Sequence, residues 1–207
     1  MFIWFIISIV GMCFMVDLHF LSVEHLKLQE KFGKEKGTKI GDILGLVSGW
    51  GFFLFWFGVW LSPQQRFIIP IIENLVLKIP LINLSIPLTH LLISIPFIII
   101  GAWFGIGSVR ETTLKVAETH RAEKVISSGL YSVIRHPQYL GGILAHIGIT
   151  ILLSAFLSLL TSPIIILLNF LISWKEEKEL IKEFGKEYED YKNKVPMFLP
   201  KLRERVN

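Results

Sequence analysis

Two polar segments of this sequence combine residue types that can bind a charged small molecule. The first runs from Ser128 to Gly142 and contains Arg135-His136-Pro137. Pro137 suits the first turn of a helix, and the residue before a proline is pushed out of helical geometry. Arg135 and His136 should therefore lie at a helix N-terminus, where free N–H groups and the helix dipole favour a carboxylate or phosphate. Alternatively, both side chains simply reach lipid headgroups from the end of a membrane span.

The second segment begins at Lys175 and carries a stripe of side chains at helical spacing. The members of the stripe, at steps of four, four, four and three, are Glu176, Leu180, Phe184, Tyr188 and Tyr191. This spacing predicts one face of a helix that packs against an apolar surface. Glu179, Glu183 and Glu187 lie off this face, so we expect them to face water.

An inward carboxylate at Glu176 needs a cationic partner, and Arg135, His136 or a cation of a bound ligand are the candidates. Together the two segments predict a pocket with a cationic side and an anionic side at one membrane face. Such a pocket fits a zwitterion with an α-amino and an α-carboxylate group, such as S-adenosylmethionine, an amino acid or a phosphocholine-like headgroup. The alternative is a solvated acidic helix face with ion pairs four residues apart.

The composition indicates a membrane protein. Of the 207 residues, 52% are apolar and 18% charged, and the mean hydropathy is +0.58, against roughly 45–50% and about 25% in soluble chains. This excess excludes a disordered chain and a nucleic-acid-binding tail, so we expect no nucleic-acid partner. The single cysteine, Cys13, excludes an intramolecular disulfide and a cysteine-based metal site. The histidines lack the spacing of metal ligands, and we expect no metal.

Stretches without charged side chains locate the membrane spans. A span needs about 20 helical residues, and the charge-free runs cover 1–16, 43–65, 79–109 and 136–174. We predict an all-α integral membrane protein with five transmembrane helices and an amphipathic cytoplasmic C-terminal helix. The spans lie at about 1–22, 42–62, 86–108, 138–156 and 162–174. The last two form a helical hairpin that turns at Ser158–Pro163, and residues 64–85 form an interfacial loop.

Positive charges orient these spans. Lys and Arg are abundant between the first two spans, between the third and fourth, and after Lys175, whereas the second loop has only Arg66 and Lys78. The positive-inside rule then predicts an N-terminus outside, with the C-terminus and the pocket in the cytoplasm. We treat the chain as one integrated domain with an N-terminal transmembrane part, 1–100, and a cofactor-binding half, 101–207.

The motifs of the second half resemble those of the isoprenylcysteine carboxyl methyltransferase family and the related membrane phospholipid methyltransferases. In this chain they read Gly129-Leu130-Tyr131, Arg135-His136-Pro137-Gln138-Tyr139-Leu140-Gly141, Glu176-Glu177, Phe184-Gly185-Lys186-Glu187-Tyr188-Glu189-Asp190-Tyr191, and Val195-Pro196 with Pro200. The resemblance covers about residues 101–201. It implies S-adenosylmethionine-dependent methyl transfer to a lipid-like or prenylated acceptor in the bilayer, with membrane lipids as the surroundings.

The resemblance also implies roles for individual residues. The implied cofactor-binding residues are Glu123, Lys124, Val125, Ile126, Tyr131, His136, Pro137, Gln138, Tyr139 and Glu176. Glu123 stands where the family usually has a histidine, and we expect Arg135 and Glu177 to bind the substrate. Ile172 stands where prenylcysteine enzymes have an arginine that holds the substrate carboxylate. The acceptor could therefore be a prenylated thiol acid, an ethanolamine lipid or a small apolar thiol. If the acceptor is an amine, Glu177 or His146 could accept the proton that the amine loses.

Two other functions compete with methyl transfer. Membrane sterol or enoyl reductases that use NADPH also carry an Arg-His-Pro-x-Tyr motif, but they normally continue with Gly-Glu, whereas Gly141 is followed here by Gly142. The second alternative is a non-catalytic lipid-binding or scaffold protein. Cofactor binding separates the three: the methyltransferase binds S-adenosylhomocysteine, the reductase binds NADPH, and the lipid-binding protein binds neither.

Overall fold

A computed structural model describes residues 2–71, 75–82 and 84–200. Residue 1 of the first predicted span, and residues 72–74 and 83 of the predicted interfacial loop, lie outside the described residues. Over the described residues the helices are α1 (Ile3–Ser22), α2 (His25–Phe32), α3 (Lys34–Leu61), α4 (Leu88–Thr112), α5 (Leu114–Thr119), α6 (Pro137–Leu152), α7 (Phe156–Phe184) and α8 (Lys186–Lys194). Short 3₁₀ turns cover Pro80–Ile82 and Gly129–Ser132.

Four of the described helices, α1, α3, α4 and α7, are long and apolar enough to cross a membrane. Helix α6 is apolar but has only 16 residues. At 1.5 Å per residue it spans about 24 Å, less than the roughly 30 Å of a hydrocarbon core. The prediction of a mostly helical protein with apolar spans is confirmed, and the fourth of the five predicted spans corresponds to this shorter helix.

The segment between α3 and α4 contains a small sheet, so the all-α prediction is wrong at this one place. Strands β1 (Val76–Ile79) and β2 (Leu84–Pro87) pair in antiparallel register, with Val76 opposite Pro87. Val76, Ile79 and Ile86 are β-branched, which favours a strand over a helix in a stretch this short.

The last hairpin turns earlier than the sequence predicts. Helix α6 ends at Leu152 and α7 begins at Phe156, and the predicted turn Ser158–Pro163 lies inside α7. The actual turn contains Ser154, whose φ is +55°. The hydroxyl groups in the predicted turn bond to carbonyls instead of breaking the helix: that of Ser158 donates to Val59 in α3 at 2.9 Å.

Glycines bring α4 and α6 into close contact. A Cβ on Gly101 would lie 2.8 Å from the backbone nitrogen of Ala145, and one on Gly141 would lie 2.5 Å from that of Gly105. Real Cβ contacts are not this short, so only glycine permits the observed approach. The contact holds the N-terminal end of α6 against the C-terminal half of α4.

A buried histidine ties α6 to α3 and α7. Nδ1 of His146 accepts the indole N–H groups of Trp56 at 2.9 Å and Trp60 at 3.0 Å. Its Nε2 lies 3.2 Å from the carbonyl oxygen of Ser158. Because both ring nitrogens have partners and the side chain is buried, His146 is a structural core residue.

Candidate functional site

A cavity of about 130 Å³, called here the main cavity, lies at the end of the bundle where α7 leads into α8. Nine of the twelve residues expected at the site line it: Lys124, Val125, Ile126, Tyr131, Arg135, His136, Gln138, Tyr139 and Glu176. The other three do not line it. Glu123 is exposed, Pro137 is buried in the first turn of α6, and Glu177 is buried next to the cavity wall.

His136 occupies the N-cap position of α6. Its backbone, with φ −125° and ψ 61°, is not helical, and Pro137 follows as the first helical residue, as the proline predicts. The backbone N–H groups of Arg135 and His136 donate to the carbonyls of Pro196 at 2.9 Å and Met197 at 3.2 Å. The segment after α8 therefore fixes the N-terminus of α6 in place.

Glu177 is the centre of a buried ion-pair cluster. Its side chain is 2% exposed, and its Oε1 lies 2.7 Å from Nε of Arg135 and 3.1 Å from Nε2 of His136. Oε2 lies 2.9 Å from Nζ of Lys192 in α8. These bonds lock the ends of α6, α7 and α8 together, which stabilises the wall of the main cavity.

Glu176 faces the cavity and has other partners. Its Oε1 accepts a hydrogen bond from the Tyr139 hydroxyl. The same oxygen lies 3.1 Å from Nε2 of His19, which is within ion-pair distance, but Nε2 of His19 is not aligned to donate a hydrogen bond to it. Oε2 lies 3.7 Å from Nδ1 of His136. Of the two side chains expected to partner Glu176, His136 lies beside it, whereas Arg135 pairs with Glu177 instead.

The expectation that Glu179 faces water is wrong. Its carboxylate is buried, with Oε1 3.0 Å from Nζ of Lys175 and 2.9 Å from Nζ of Lys182. These two lysines make the burial possible because they partner the charge. The predicted stripe is also divided, because Gly185, with φ +55°, ends α7 before α8 begins.

A short turn presents Tyr131 to the main cavity. Gly129 has φ +53°, and the next N–H, that of Leu130, donates to Glu111 Oε1 at 3.0 Å. The carbonyl of Tyr131 accepts the Tyr191 hydroxyl at 2.7 Å. Burial raises the pKa of the Tyr131 hydroxyl well above its ordinary value, so this hydroxyl stays a neutral hydrogen-bond donor.

Three histidines at this end of the bundle were assigned no role from the sequence. His25 and His120 line the main cavity, and His19 lies beside Glu176. The rings of His19 and His120 are 4.1 Å apart between centroids. They come from α1 and from the residue after α5, so no local spacing in the sequence marks them as neighbours.

A second cavity of about 80 Å³, called here the inner cavity, adjoins the main one. The two share the wall residues Ala117, His120, Gln138 and Tyr139. The inner cavity extends between α1, α3, α6 and α7, and its remaining wall residues are Met15, His19, Ser48, Gly49, Phe52, Phe53, Trp56, Gly142, Asn169 and Ile172.

The main cavity has the chemistry that a zwitterion with an apolar part needs. The carboxylate of Glu176 can bind an ammonium or sulfonium group, and the N-terminus of α6 can bind a carboxylate. Val125 and Ile126 add apolar side chains to the cavity wall. S-adenosylmethionine fits this donor set.

Comparisons with known proteins agree with this chemistry. The phospholipid methyltransferase family model matches residues 89–187. Methanethiol S-methyltransferase 2 of Bradyrhizobium diazoefficiens is 38% identical over 79 residues, which cover 37% of this chain and 29% of that protein. The protein-S-isoprenylcysteine O-methyltransferase of Schizosaccharomyces pombe is 34% identical over 84 residues, 37% of this chain and 33% of that protein.

A second bacterial relative, the methanethiol S-methyltransferase of Pseudomonas deceptionensis, is 39% identical over 75 residues, 36% of this chain and 28% of that protein. The matched part of the chain thus spans a third or less of the length of these curated relatives. No solved structure matches the chain.

The matched region contains α4 to α7 and most of the walls of the main cavity. The names of the relatives do not support a reductase or a non-catalytic lipid-binding protein. The resemblance expected from the motifs is confirmed: residues 89–187 match the phospholipid methyltransferase family model, and the relatives that this chain matches are isoprenylcysteine and methanethiol methyltransferases.

Proposed function

We propose that this protein is an integral membrane methyltransferase that uses S-adenosylmethionine and methylates a lipid-like or small apolar acceptor. The observation that carries the proposal is the meeting of Glu176 and His136 in one cavity, 3.7 Å apart, within a methyltransferase-family domain. This pairing places a carboxylate of α7 and the N-terminus of α6 in the wall of the same cavity, although they are far apart in the sequence.

Each wall of the main cavity has a role in this proposal. Glu176 holds the cationic part of S-adenosylmethionine, and the N-terminus of α6 with His136 holds its carboxylate. Tyr131 donates a hydrogen bond, and Val125 and Ile126 contact the adenine. When bound, S-adenosylmethionine supplies a methyl group whose carbon an oxygen, nitrogen or sulfur nucleophile can attack, while the sulfonium sulfur leaves as a neutral thioether.

The contribution of the protein is alignment and exclusion of water. The Glu177 cluster and the bonds from Pro196 and Met197 keep Arg135 and His136 fixed, so that the cavity wall is preorganised. Such alignment lowers the barrier because orientational entropy is lost on binding and not in the transition state. Glu177 itself acts here as a positioning residue, and Arg135 lines the cavity with its charge already partnered.

We further propose the orientation that the charges favour, with the N-terminus outside and the main cavity at the cytoplasmic face. Lysines and arginines concentrate in the segments that join α1 to α3 and α5 to α6, and around α8, next to the cavity. A water-soluble cofactor then enters from the cytoplasm, and an apolar acceptor enters from the bilayer.

Calorimetry on the purified full chain in detergent tests cofactor binding. We expect S-adenosylhomocysteine to bind and NADPH not to bind. Membranes that contain the protein, incubated with methyl-labelled S-adenosylmethionine, should yield a labelled product in the organic extract. Glu30→Gln, an exposed acid on α2, serves as the control and should behave as the unaltered protein. Absence of S-adenosylhomocysteine binding would overturn the proposal.

A further inference from the structure

The walls of the inner cavity are mostly apolar, with polar groups at a few points. Among the described residues that line it there is no Lys, Arg, Asp or Glu. Beyond the wall that it shares with the main cavity, its polar side chains are His19, Ser48, Trp56 and Asn169. The indole N–H of Trp56 is engaged with His146 at 2.9 Å, and His19 lies beside Glu176. Ser48 and Asn169 therefore remain as the polar groups that a molecule in this cavity can meet.

The side-chain amide of Asn169 is fixed in one orientation by its own helix. Asn169 is 2% exposed, and its Nδ2 donates to the carbonyl oxygen of Ile165, four residues earlier in α7, at 2.8 Å. The reverse orientation would place two oxygens against each other, so the nitrogen must make this bond. The amide oxygen is then the polar atom that faces the cavity.

This amide oxygen is available to a bound molecule. Within the described part of the chain, no donor is bonded to it, although Asn169 lies in the cavity wall. A buried carbonyl oxygen without a hydrogen bond costs free energy. A ligand that brings an N–H or O–H group to Asn169 removes that cost, and a ligand without a donor does not.

Ser48 presents the same kind of atom from α3. It is 1% exposed, and its hydroxyl donates to the carbonyl of Gly45 at 3.0 Å. A hydroxyl has one proton, and this bond engages it, so the Ser48 oxygen can only accept a hydrogen bond from a molecule in the cavity. Two helices thus contribute acceptors to one cavity, which suits an uncharged donor group and not an anion.

Asn169 lies on the face of α7 that leads from the main cavity into the inner one. Glu176 follows it by seven residues, which is about two helical turns, so the two side chains share a face and lie about 10 Å apart along the helix axis. Ile172, which also lines the inner cavity, lies between them in the sequence. In the function proposed above, Glu176 holds the cation of S-adenosylmethionine. The transferable methyl group and the head group of the acceptor then share the space between Glu176 and Asn169.

On the basis of that function, we propose that Asn169 recognises the head group of the acceptor. Its amide oxygen accepts a hydrogen bond from an uncharged N–H or O–H group of the acceptor, and the apolar walls of the inner cavity surround that bond. A carboxylate would lose its hydration there and gain no donor from Asn169 or Ser48, which is costly. Asn169 selects the chemistry of the head group and takes no part in making or breaking a covalent bond.

Two isomers that differ in the hydrogen-bond donor test this recognition. The probe 1-hexanol has an O–H group, whereas 1-methoxypentane has the same atoms with an ether oxygen. Each is titrated in calorimetry into the full chain with S-adenosylhomocysteine bound, and its partition into the detergent alone is subtracted. We expect 1-hexanol to bind about five- to tenfold tighter, as one buried hydrogen bond provides, and hexanoate to bind no tighter than 1-methoxypentane. Equal affinity for the two isomers would overturn the inference.

The variant Asn169→Leu removes the amide and fills its space. We expect the difference between the isomers to fall below about twofold, while the affinity for S-adenosylhomocysteine changes by less than about threefold. Ser173→Ala is the matched control, because it removes another buried hydrogen-bonding side chain from α7 that lines neither cavity. The control should keep the full difference. A difference that survives in Asn169→Leu would refute the role of the amide.

A second variant, Asn169→Ser, separates recognition from a structural role and replaces the leucine variant if that one does not fold. A serine in a helix can donate to the carbonyl four residues earlier, so the bond to Ile165 is kept while the amide oxygen is withdrawn from the cavity. We expect a melting temperature close to that of the unaltered protein and no preference for 1-hexanol. A retained preference would mean that Asn169 contributes only its bond to Ile165, and the inference would fail.

The two levels of proposal fail in different ways. If the protein binds S-adenosylhomocysteine but does not distinguish the isomers, the role of Asn169 is wrong and the proposed function stands. If the protein does not bind S-adenosylhomocysteine, the proposed function itself fails.

Discussion

Two adjacent glutamates with the same chemistry have opposite roles, and amide substitutions distinguish them. Glu177 is buried and partners Arg135, His136 and Lys192, whereas Glu176 lines the main cavity. We predict that Glu177→Gln lowers the stability of the protein and that Glu176→Gln lowers its affinity for the cofactor.

The expected magnitudes follow from these contacts. Glu177→Gln leaves two cations around a neutral amide in a buried place, and breaking a buried ion pair costs about 3–5 kcal/mol. Lys192 is 37% exposed and can turn to solvent, so we expect the lower end, about 3 kcal/mol. For a chain of this size that lowers the melting temperature by roughly 6–12 °C.

Glu176→Gln removes a charge-assisted contact to the ligand. It leaves no Lys or Arg side chain without a partner, unlike Glu177→Gln. We expect the Kd for S-adenosylhomocysteine to rise about tenfold or more, equivalent to at least about 1.4 kcal/mol. Its melting temperature should fall much less than that of Glu177→Gln. Thermal unfolding and calorimetry in one detergent measure both quantities, with Glu30→Gln as the control. Equal destabilisation by the two substitutions, with unchanged affinity in both, would refute this assignment.

Two further predictions concern stability. The pKa of His120 is about 3 in the folded protein against 6.5 ordinarily. As the pH falls, the unfolded chain therefore binds a proton at this ring before the folded protein does. The stability that His120 contributes is complete above pH 6.5 and is lost as the pH falls towards 3. Between pH 7 and pH 5 we expect His120 to contribute a loss of about 2 kcal/mol, so that His120→Asn loses about that much less than the unaltered protein; equal losses in both proteins would contradict it. Gly101→Ala, whose Cβ would meet backbone atoms at 2.8 Å, should lower the melting temperature, whereas Gly105→Ala has open space; equal melting temperatures would show that α4 and α6 can separate freely.

Local rules made much of the site predictable. Pro137 excludes helical geometry at His136, and this alone places Arg135 and His136 at the start of α6. The absence of charge over long runs is equally local, because a helix in hydrocarbon must satisfy its backbone within itself. The order of motifs then identified the family before any contact was known.

Two predictions failed because burial and hydrogen bonding in the fold differ from what local spacing indicates. Glu179 was expected to face water because it lies off the predicted stripe, whereas in the fold Lys175 and Lys182 partner its buried carboxylate. Ser158–Pro163 was expected to turn because polar residues break apolar runs, but the carbonyl of Val59 in α3 satisfies the Ser158 hydroxyl. In both cases the deciding bond or packing contact depends on tertiary structure.

The amino-acid sequence by itself determined the membrane class, the apolar spans, the N-cap at His136 and the family of the C-terminal half, since each depends on residues near one another in the chain. Only the tertiary structure decided that Glu177 pairs with Arg135, His136 and Lys192 in a buried cluster, and that His19 and His120 lie at the site. The position of His120 depends on the close approach of α5 to α3, which Gly45 permits, since a Cβ there would lie 2.8 Å from the carbonyl oxygen of Thr119, but which no local pattern specifies.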